Sequence, residues 1–288
     1  NLRSLAALPK LSQLFVWNTP LPPEEIKRLQ QQLKTTAIET GYKGDTVVIK
    51  LNPPIIENEE QVITKQEPLK LKHYIKGVII RYTIDGTEPD SIKSPVYNET
   101  IVLSKKETIK AKAFKPGWLS SDVAEKTFYR AGVAPDSVEL VNAPDPQYKG
   151  DGGLTIHDGK IGSLNFRDGK WLGYRVQPME AFFYFNTPAT ISTVTVSNVV
   201  DINSYLMPPQ EIEVWGGQDK ASLHLLKRLQ PAQPTKDKPG YLTSYDLSFH
   251  PSSFKILKLI LKPVSKLPGW HRGKGDKGWV FVDEVFLN

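Results

Sequence analysis

Residues 80–121 read IRYTIDGTEPDSIKSPVYNETIVLSKKETIKAKAFKPGWLSS, and their pattern decides the fold. Val78 to Ile84 is rich in β-branched residues and runs into Asp85-Gly86, a pair that tolerates positive φ and so turns the chain. Thr108 to Phe114 alternates with a period of two, placing Ile109, Ala111 and Ala113 on one face. Pro116-Gly117 then closes a hairpin onto Val123 to Tyr129. Further strands are expected at Val47 to Leu51 and at Leu69 to Tyr74, the latter with Leu69, Leu71 and His73 sharing a face. Short strands between turn signals predict a small antiparallel sandwich of immunoglobulin type over 45–131.

Beyond it, 132–150 is rich in Pro and small residues and reads as a joining segment. Strand signals resume at Ala181 to Phe185, Ile191 to Val196, Glu211 to Trp215, Lys255 to Leu261 and Trp279 to Leu287. Helical periodicity is poor there, which predicts a second, larger β-sandwich of jelly-roll type over 132–288. The fold class expected is therefore mainly β, two β-sandwiches with a small α/β cap at the N-terminus. In that cap (1–44), Leu2, Leu5, Leu8, Leu11, Leu14 and Val16 lead into a short strand from Leu14 to Trp17. Pro22, Pro23, Glu24 and Glu25 then start a helix whose Ile26, Leu29 and Leu33 share a face, and Thr36 to Glu39 returns as a strand. Such leucine spacing resembles the last unit of a leucine-rich repeat, and a helix-containing cap on the next module is the plainer alternative.

Composition excludes several classes. The 288 residues contain no Cys, which rules out a disulfide scaffold, a thiolate nucleophile, Cys-ligated zinc and covalent c-type haem attachment. No apolar run approaches the ~18 residues of a membrane helix, so no membrane insertion by this chain is expected. The net charge of +6 is spread thinly: 1–44 holds six basic and three acidic groups, 45–131 holds 14 and 12, and 132–288 holds 17 and 16. Only Lys266 to Lys277 is locally cationic, which argues against a nucleic-acid partner. Asn1 in place of an initiator Met leads to the expectation of a fragment or a processed form.

Two stretches carry family resemblances. The elements Tyr82-Thr83, Asp85-Gly86, Glu88-Pro89, Ser94 to Tyr97, the IKAKAF strand and Gly117-Trp118-Leu119-Ser120 resemble the β-sandwich module C-terminal to bacterial chitobiases and β-hexosaminidases, the fibronectin-III-associated module. That resemblance implies a spacer or docking unit without catalytic residues. GGLTIHDGKIGSLNFRDGKWLGY (152–174) and PGWHRGKGDKGWVFVDEVFL (268–287) resemble the coagulation factor 5/8 type C (discoidin) domain, in versions that follow the first module in Bacteroidetes glycosidases. It implies a jelly roll with a structural calcium and ligand-binding loops at one end. The calcium roles fall on Asp158, the Lys160 carbonyl, Ser163 and Glu284, the alternative being a simple turn at Asp158-Gly159 plus a strand-end acid.

Sugar sites pair a flat ring with polar groups, and Asn203, Tyr205, Trp270, His271 and Arg272 all fall in loop-like stretches suited to that. Trp171, Trp215 and Trp279 lie in strand-like context and are expected in the core. Gly273 to Gly278 spells G-x-G-x-x-G but precedes a strand, so it reads as a mobile hairpin loop and no organic cofactor is expected. Catalytic signatures are lacking: the five His show no HExxH, no G-x-S-x-G occurs, and Asp283-Glu284, as neighbours on a strand, are expected to face opposite sides.

The expectation is a non-enzymatic carbohydrate-binding or adhesion part of a larger exported protein, extracellular, periplasmic or at the cell surface. Its partners would be a glycan or polysaccharide and upstream domains of the same chain. The alternatives are a structural or protein-docking arm, as in Bacteroidetes membrane proteins with an upstream c-type cytochrome domain, and the accessory domains of a hexosaminidase-type glycosidase.

Overall fold

The computed structural model describes residues 4–5, 8, 10–17, 19–41 and 49–288. The expected roles of Leu2, the first residues of the Val47 to Leu51 strand and the 44/45 boundary lie outside them. The chain is mainly β. At the N-terminus, β1 (Gln13–Phe15) pairs in parallel with β2 (Ala37–Glu39), and α1 (Pro23–Gln32) joins them. Pro22 is extended, Pro23 supplies a preset helical φ, and Glu24 and Glu25 face the positive helix end. Leu29 and Leu33 are buried beneath it.

The middle module starts with four short strands, β3 (Ile55–Ile56), β4 (Val62–Ile63), β5 (Glu67–Pro68) and β6 (Leu71–Lys72). It continues through β7 (Ile79–Thr83), β8 (Val102–Leu103), β9 (Glu107–Phe114) and β10 (Ala124–Arg130). One sheet has the order β4-β10-β9-β7, and β3-β6 and β5-β8 form separate pairs. The alternation along β9 is as its sequence requires, with Ile109, Ala111 and Ala113 fully buried. Ile63, Leu69, Leu71, Leu103 and Phe128 complete that core. Two expectations are corrected. Asp85-Gly86 turns the chain but closes no tight hairpin: β7 pairs with β9, and the intervening chain folds back to bridge Arg81 with Val96. The strand expected at Leu69 to Tyr74 shortens to Leu71–Lys72.

The larger module comprises β11 (Ser137–Leu140), β12 (Leu172–Tyr174), β13 (Met179–Val200), β14 (Glu211–Gly217), β15 (His224–Leu229), β16 (Tyr241–Lys262) and β17 (Val280–Leu287). β13 and β16 are each 22 residues long and pair along both of their halves. Their register shifts twice, between Tyr184 and Ala189 beside Pro188 and between Ile191 and Thr193 opposite Pro251, and neither proline has the amide N–H that a regular ladder needs. Past this bend each strand continues in a second sheet. One sheet is then β11, the first half of β13, the second half of β16, β14 and β15. The other is β12, β17, the second half of β13 and the first half of β16. Phe183, Leu257 and Leu259 from the first meet Val194, Leu247, Val280 and Val282 from the second in one core, a β-sandwich. The joining segment expected at 132–150 is itself structural, because β11 completes a sheet edge through an apolar–polar alternation too short to stand out.

The two β modules meet where the chain passes between them. Tyr129 stacks on Phe286 with centroids 4.8 Å apart, Lys106 pairs with Asp246 at 2.7 Å, and the Val133 amide donates to the Leu287 carbonyl at 2.7 Å.

Candidate functional site

From Trp279, just before β17 and away from the middle module, the chain runs along β17 to Phe286 against that module, a span of roughly 23 Å at ~3.3 Å per residue. At the far end a cavity of about 250 Å³ opens among Tyr148, Phe166, Arg167, Asn203, Tyr205 and Arg272, with Trp279 and Phe281 at its base. Four of these rings form one cluster: Tyr148 packs edge-on against Phe166, Trp279 and Phe281 at centroid distances of 6.0, 5.5 and 4.7 Å.

Tyr205 is held by its backbone. It ends a short 3-10 turn (Ile202–Ser204) at φ 67°, a left-handed conformation uncommon for any residue but Gly, and its carbonyl accepts from the Trp279 amide at 2.8 Å. Its ring lies so close to Gly273 that a Cβ there would fall 2.1 Å from Cε1. The glycine run is thereby explained without a nucleotide: Gly273 admits the tyrosine ring, Gly275 takes φ 87°, and Gly278 packs on Met207 and Val264. The loop is also tied by backbone bonds, among them Leu267 to Asp276 at 2.7 Å and Lys274 to His271 at 3.0 Å.

Of the five residues expected to meet a ligand, Asn203, Tyr205 and Arg272 line this cavity. His271 does not; it is 4% exposed, its Nδ1 accepts from the Gly273 amide at 2.9 Å, and its Nε2 therefore donates to the Ile202 carbonyl at 2.8 Å. The imidazole fastens the two loops together, which corrects the expectation that it contacts ligand. Trp270 is half-exposed and edge-on to His271 at 5.8 Å, but it is not part of the cavity wall. Trp171 is buried as expected, and Trp279, partly buried, packs against the same core cluster while also reaching the cavity. Sequence reading missed Tyr148, Phe166 and Arg167; the last two sit in the Asn165 to Gly169 turn, where an aromatic–Arg pair before Asp-Gly was the available signal.

The guanidinium of Arg272 lies 5.5 Å from the Tyr205 centroid and donates to the Asn203 carbonyl. That of Arg167 lies 5.3 Å from the Phe166 centroid. No carboxylate lines the cavity. The nearby Asp237 and Asp201 are taken up by the Asn203 amide (3.3 Å) and the Ser204 hydroxyl (2.6 Å).

The residues expected around calcium are divided. Glu284 Oε2 accepts from the Gly159 amide at 2.9 Å, and Asp158 Oδ1 from the Lys160 amide at 2.9 Å. Burial, with Asp158 and Asp283 adding negative charge, pushes the Glu284 carboxyl up to about 9. A crowded pair of carboxyls beside a turn is the kind of oxygen-rich setting that suits a hard cation. Ser163 is elsewhere, its hydroxyl donating to Asp168 at 2.9 Å. The two acids of β17 also depart from expectation. Val196 faces Val285 while Asn198 faces Val282, so β17 carries an extra residue at Asp283-Glu284. Both side chains consequently reach one loop, Asp283 taking the Gly162 amide at 2.6 Å. Both are buried, and neither opens onto a cleft. Among the described residues no group of three or more His, Asp or Glu is placed to hold a metal, and no helix is long and apolar enough to cross a membrane.

Comparison with known proteins matches residues 69–128 to the family described as Fn3 associated. No curated protein matches the chain by sequence. Among solved structures, the chain is similar to the family 32 carbohydrate-binding module of AlyQ in complex with 4,5-unsaturated mannuronic acid (16% identity, 54% of this chain and 95% of that one, TM-score 0.32). It is also similar to the family 32 module of Streptococcus pneumoniae EndoD (12%, 55% and 99%, 0.36) and to the C-terminal domain of a chitobiase from Bacteroides fragilis (12%, 54% and 95%, 0.33). At these scores the likeness brings neither a ligand nor a residue role to this chain.

Proposed function

We propose that the chain is a non-catalytic carbohydrate-binding part of a larger exported protein, acting at the cell surface or outside the cell. The supporting observation is the cavity at the free end of the larger module, where the aromatic residues Tyr148, Phe166, Tyr205 and Trp279 line the wall together with Asn203, Arg167 and Arg272. Flat apolar faces beside fixed hydrogen-bonding groups are what a pyranose needs, since it offers C–H groups on one face and hydroxyls around its rim. The residues 1–44, 45–131 and 132–288 are taken as three units, the first resembling a leucine-rich-repeat end and the second a spacer. A structural calcium held by Asp158, Glu284 and the Lys160 carbonyl would fix the 158–162 loop over β17.

A glycan-array screen of the whole chain in calcium buffer tests this reading. The expected result is a reproducible hit that Tyr205→Ala abolishes and Trp270→Ala leaves standing, both variants folded by circular dichroism. A blank array with the folded chain would instead favour a protein-docking arm.

A further inference from the structure

Resting on the carbohydrate-binding reading, the charge of the cavity narrows the class of sugar. We propose that the site selects an anionic sugar, one bearing a carboxylate or sulfate, with Arg167 and Arg272 as its two cationic anchors.

The argument is one of compensation. Two guanidinium groups line a cavity of about 250 Å³ that has no carboxylate in its wall. Neither arginine is in an ion pair among the described residues. Asp201 and Asp237 keep their charge but stand outside the wall, accepting from Ser204 and Asn203, and neither pairs with an arginine among the described residues. The two guanidinium groups therefore have no anionic partner inside this concave wall, and the hydroxyl groups of a neutral sugar supply none. A carboxylate or sulfate can, through the paired N–H donors that a guanidinium offers in one plane. Both arginines are also braced in advance, Arg167 over Phe166 and Arg272 over Tyr205 and onto the Asn203 carbonyl. That bracing lowers the entropy lost on binding. The cavity falls below the ~300 Å³ of an ordinary small-molecule site, so it holds about one sugar ring, with both arginines in its wall.

Calorimetry of the full chain tests this with three matched oligosaccharides: an oligogalacturonate, a sulfated galactan fragment and neutral galactan. The expected result is that at least one anionic ligand binds about tenfold or more tightly than the neutral one, the gap shrinking as salt rises from low to near-molar. Comparing the two anions tells carboxylate from sulfate. Arg167→Gln and Arg272→Gln should each cost about tenfold for the anion and little for the neutral sugar, while Lys274→Gln, a cation outside the cavity wall, should cost neither. Equal or tighter neutral binding, or a loss with Lys274→Gln as large as with the arginines, overturns the anionic assignment and leaves carbohydrate binding intact. Failure of all three sugars to bind the folded chain removes the underlying reading as well.

Discussion

Gly273 shows how one residue can set a site. Its missing side chain is where the Tyr205 ring lies, and a Cβ would fall 2.1 Å from that ring. Gly273→Ala must therefore displace either the tyrosine or the loop, at about 1–3 kcal/mol for forced overpacking. The expected outcome is a lowered thermal midpoint together with lost sugar binding, checked by melting and calorimetry on the same sample. A second residue works in the opposite sense. Glu107 is buried at the start of β9 with Oε2 lacking a partner, and burial holds its carboxyl above the usual range. For an acid raised in the fold, protonation favours folding. That contribution is complete below the unfolded value near 4.5 and is lost as pH rises through the higher folded value. Glu107→Gln should accordingly stabilise the chain at pH 7 by about 1 kcal/mol and make no gain at pH 4, as chemical denaturation at the two pH values would show. Nothing in the sequence marks either residue. A glycine in a Gly-rich loop gives no sign of which ring approaches it, and Glu107, after Lys105-Lys106, reads as a polar strand start although it is in phase with Ile109, Ala111 and Ala113.

At the scale of elements, period-two patterning made β9 legible residue by residue, and Pro22-Pro23 with Glu24-Glu25 located α1. What stayed hidden depends on pairing across distance. β13 reads as two separate strands because Pro188 and its neighbours interrupt the pattern, yet the chain continues through the bend into the second sheet. The β17 bulge is likewise set by its pairing with β13, and it is what turns Asp283 and Glu284 toward one loop. That loop yields a test of the calcium proposal. Millimolar calcium, if at ~100-fold excess over its dissociation constant, should stabilise the chain by about 2.7 kcal/mol, and Glu284→Gln should remove the response. An unchanged melting curve with calcium would leave Asp158-Gly159 as a turn and Glu284 as a strand-end acid.

At the scale of the whole molecule, the joint and the cavity lie at opposite ends of β17. The middle module thus grips the larger one by Tyr129 on Phe286 and Lys106 on Asp246 and leaves the cavity facing outward. The doubly substituted Tyr129→Ala, Lys106→Ala chain should broaden in small-angle scattering, as the modules loosen, while sugar affinity is unchanged. The mainly β, sandwich class was legible in the words of the sequence, because turn dipeptides and alternation are local. The cavity was legible only in part: Asn203, Tyr205 and Arg272 stand in loops that announce themselves, whereas Tyr148 and Phe166 arrive from the 145–168 stretch only once it has folded across β17. The central claim, that this far end binds sugar, is tested most directly by a nitrogen-15 NMR titration of the whole chain with the glycan selected by the array. The account predicts shift changes confined to Asn203 to Leu206, Phe166, Arg167, Arg272 and the Trp279 indole. Shifts centred instead on Trp118, Glu88 and Lys112, which line a separate groove of the middle module, would contradict it.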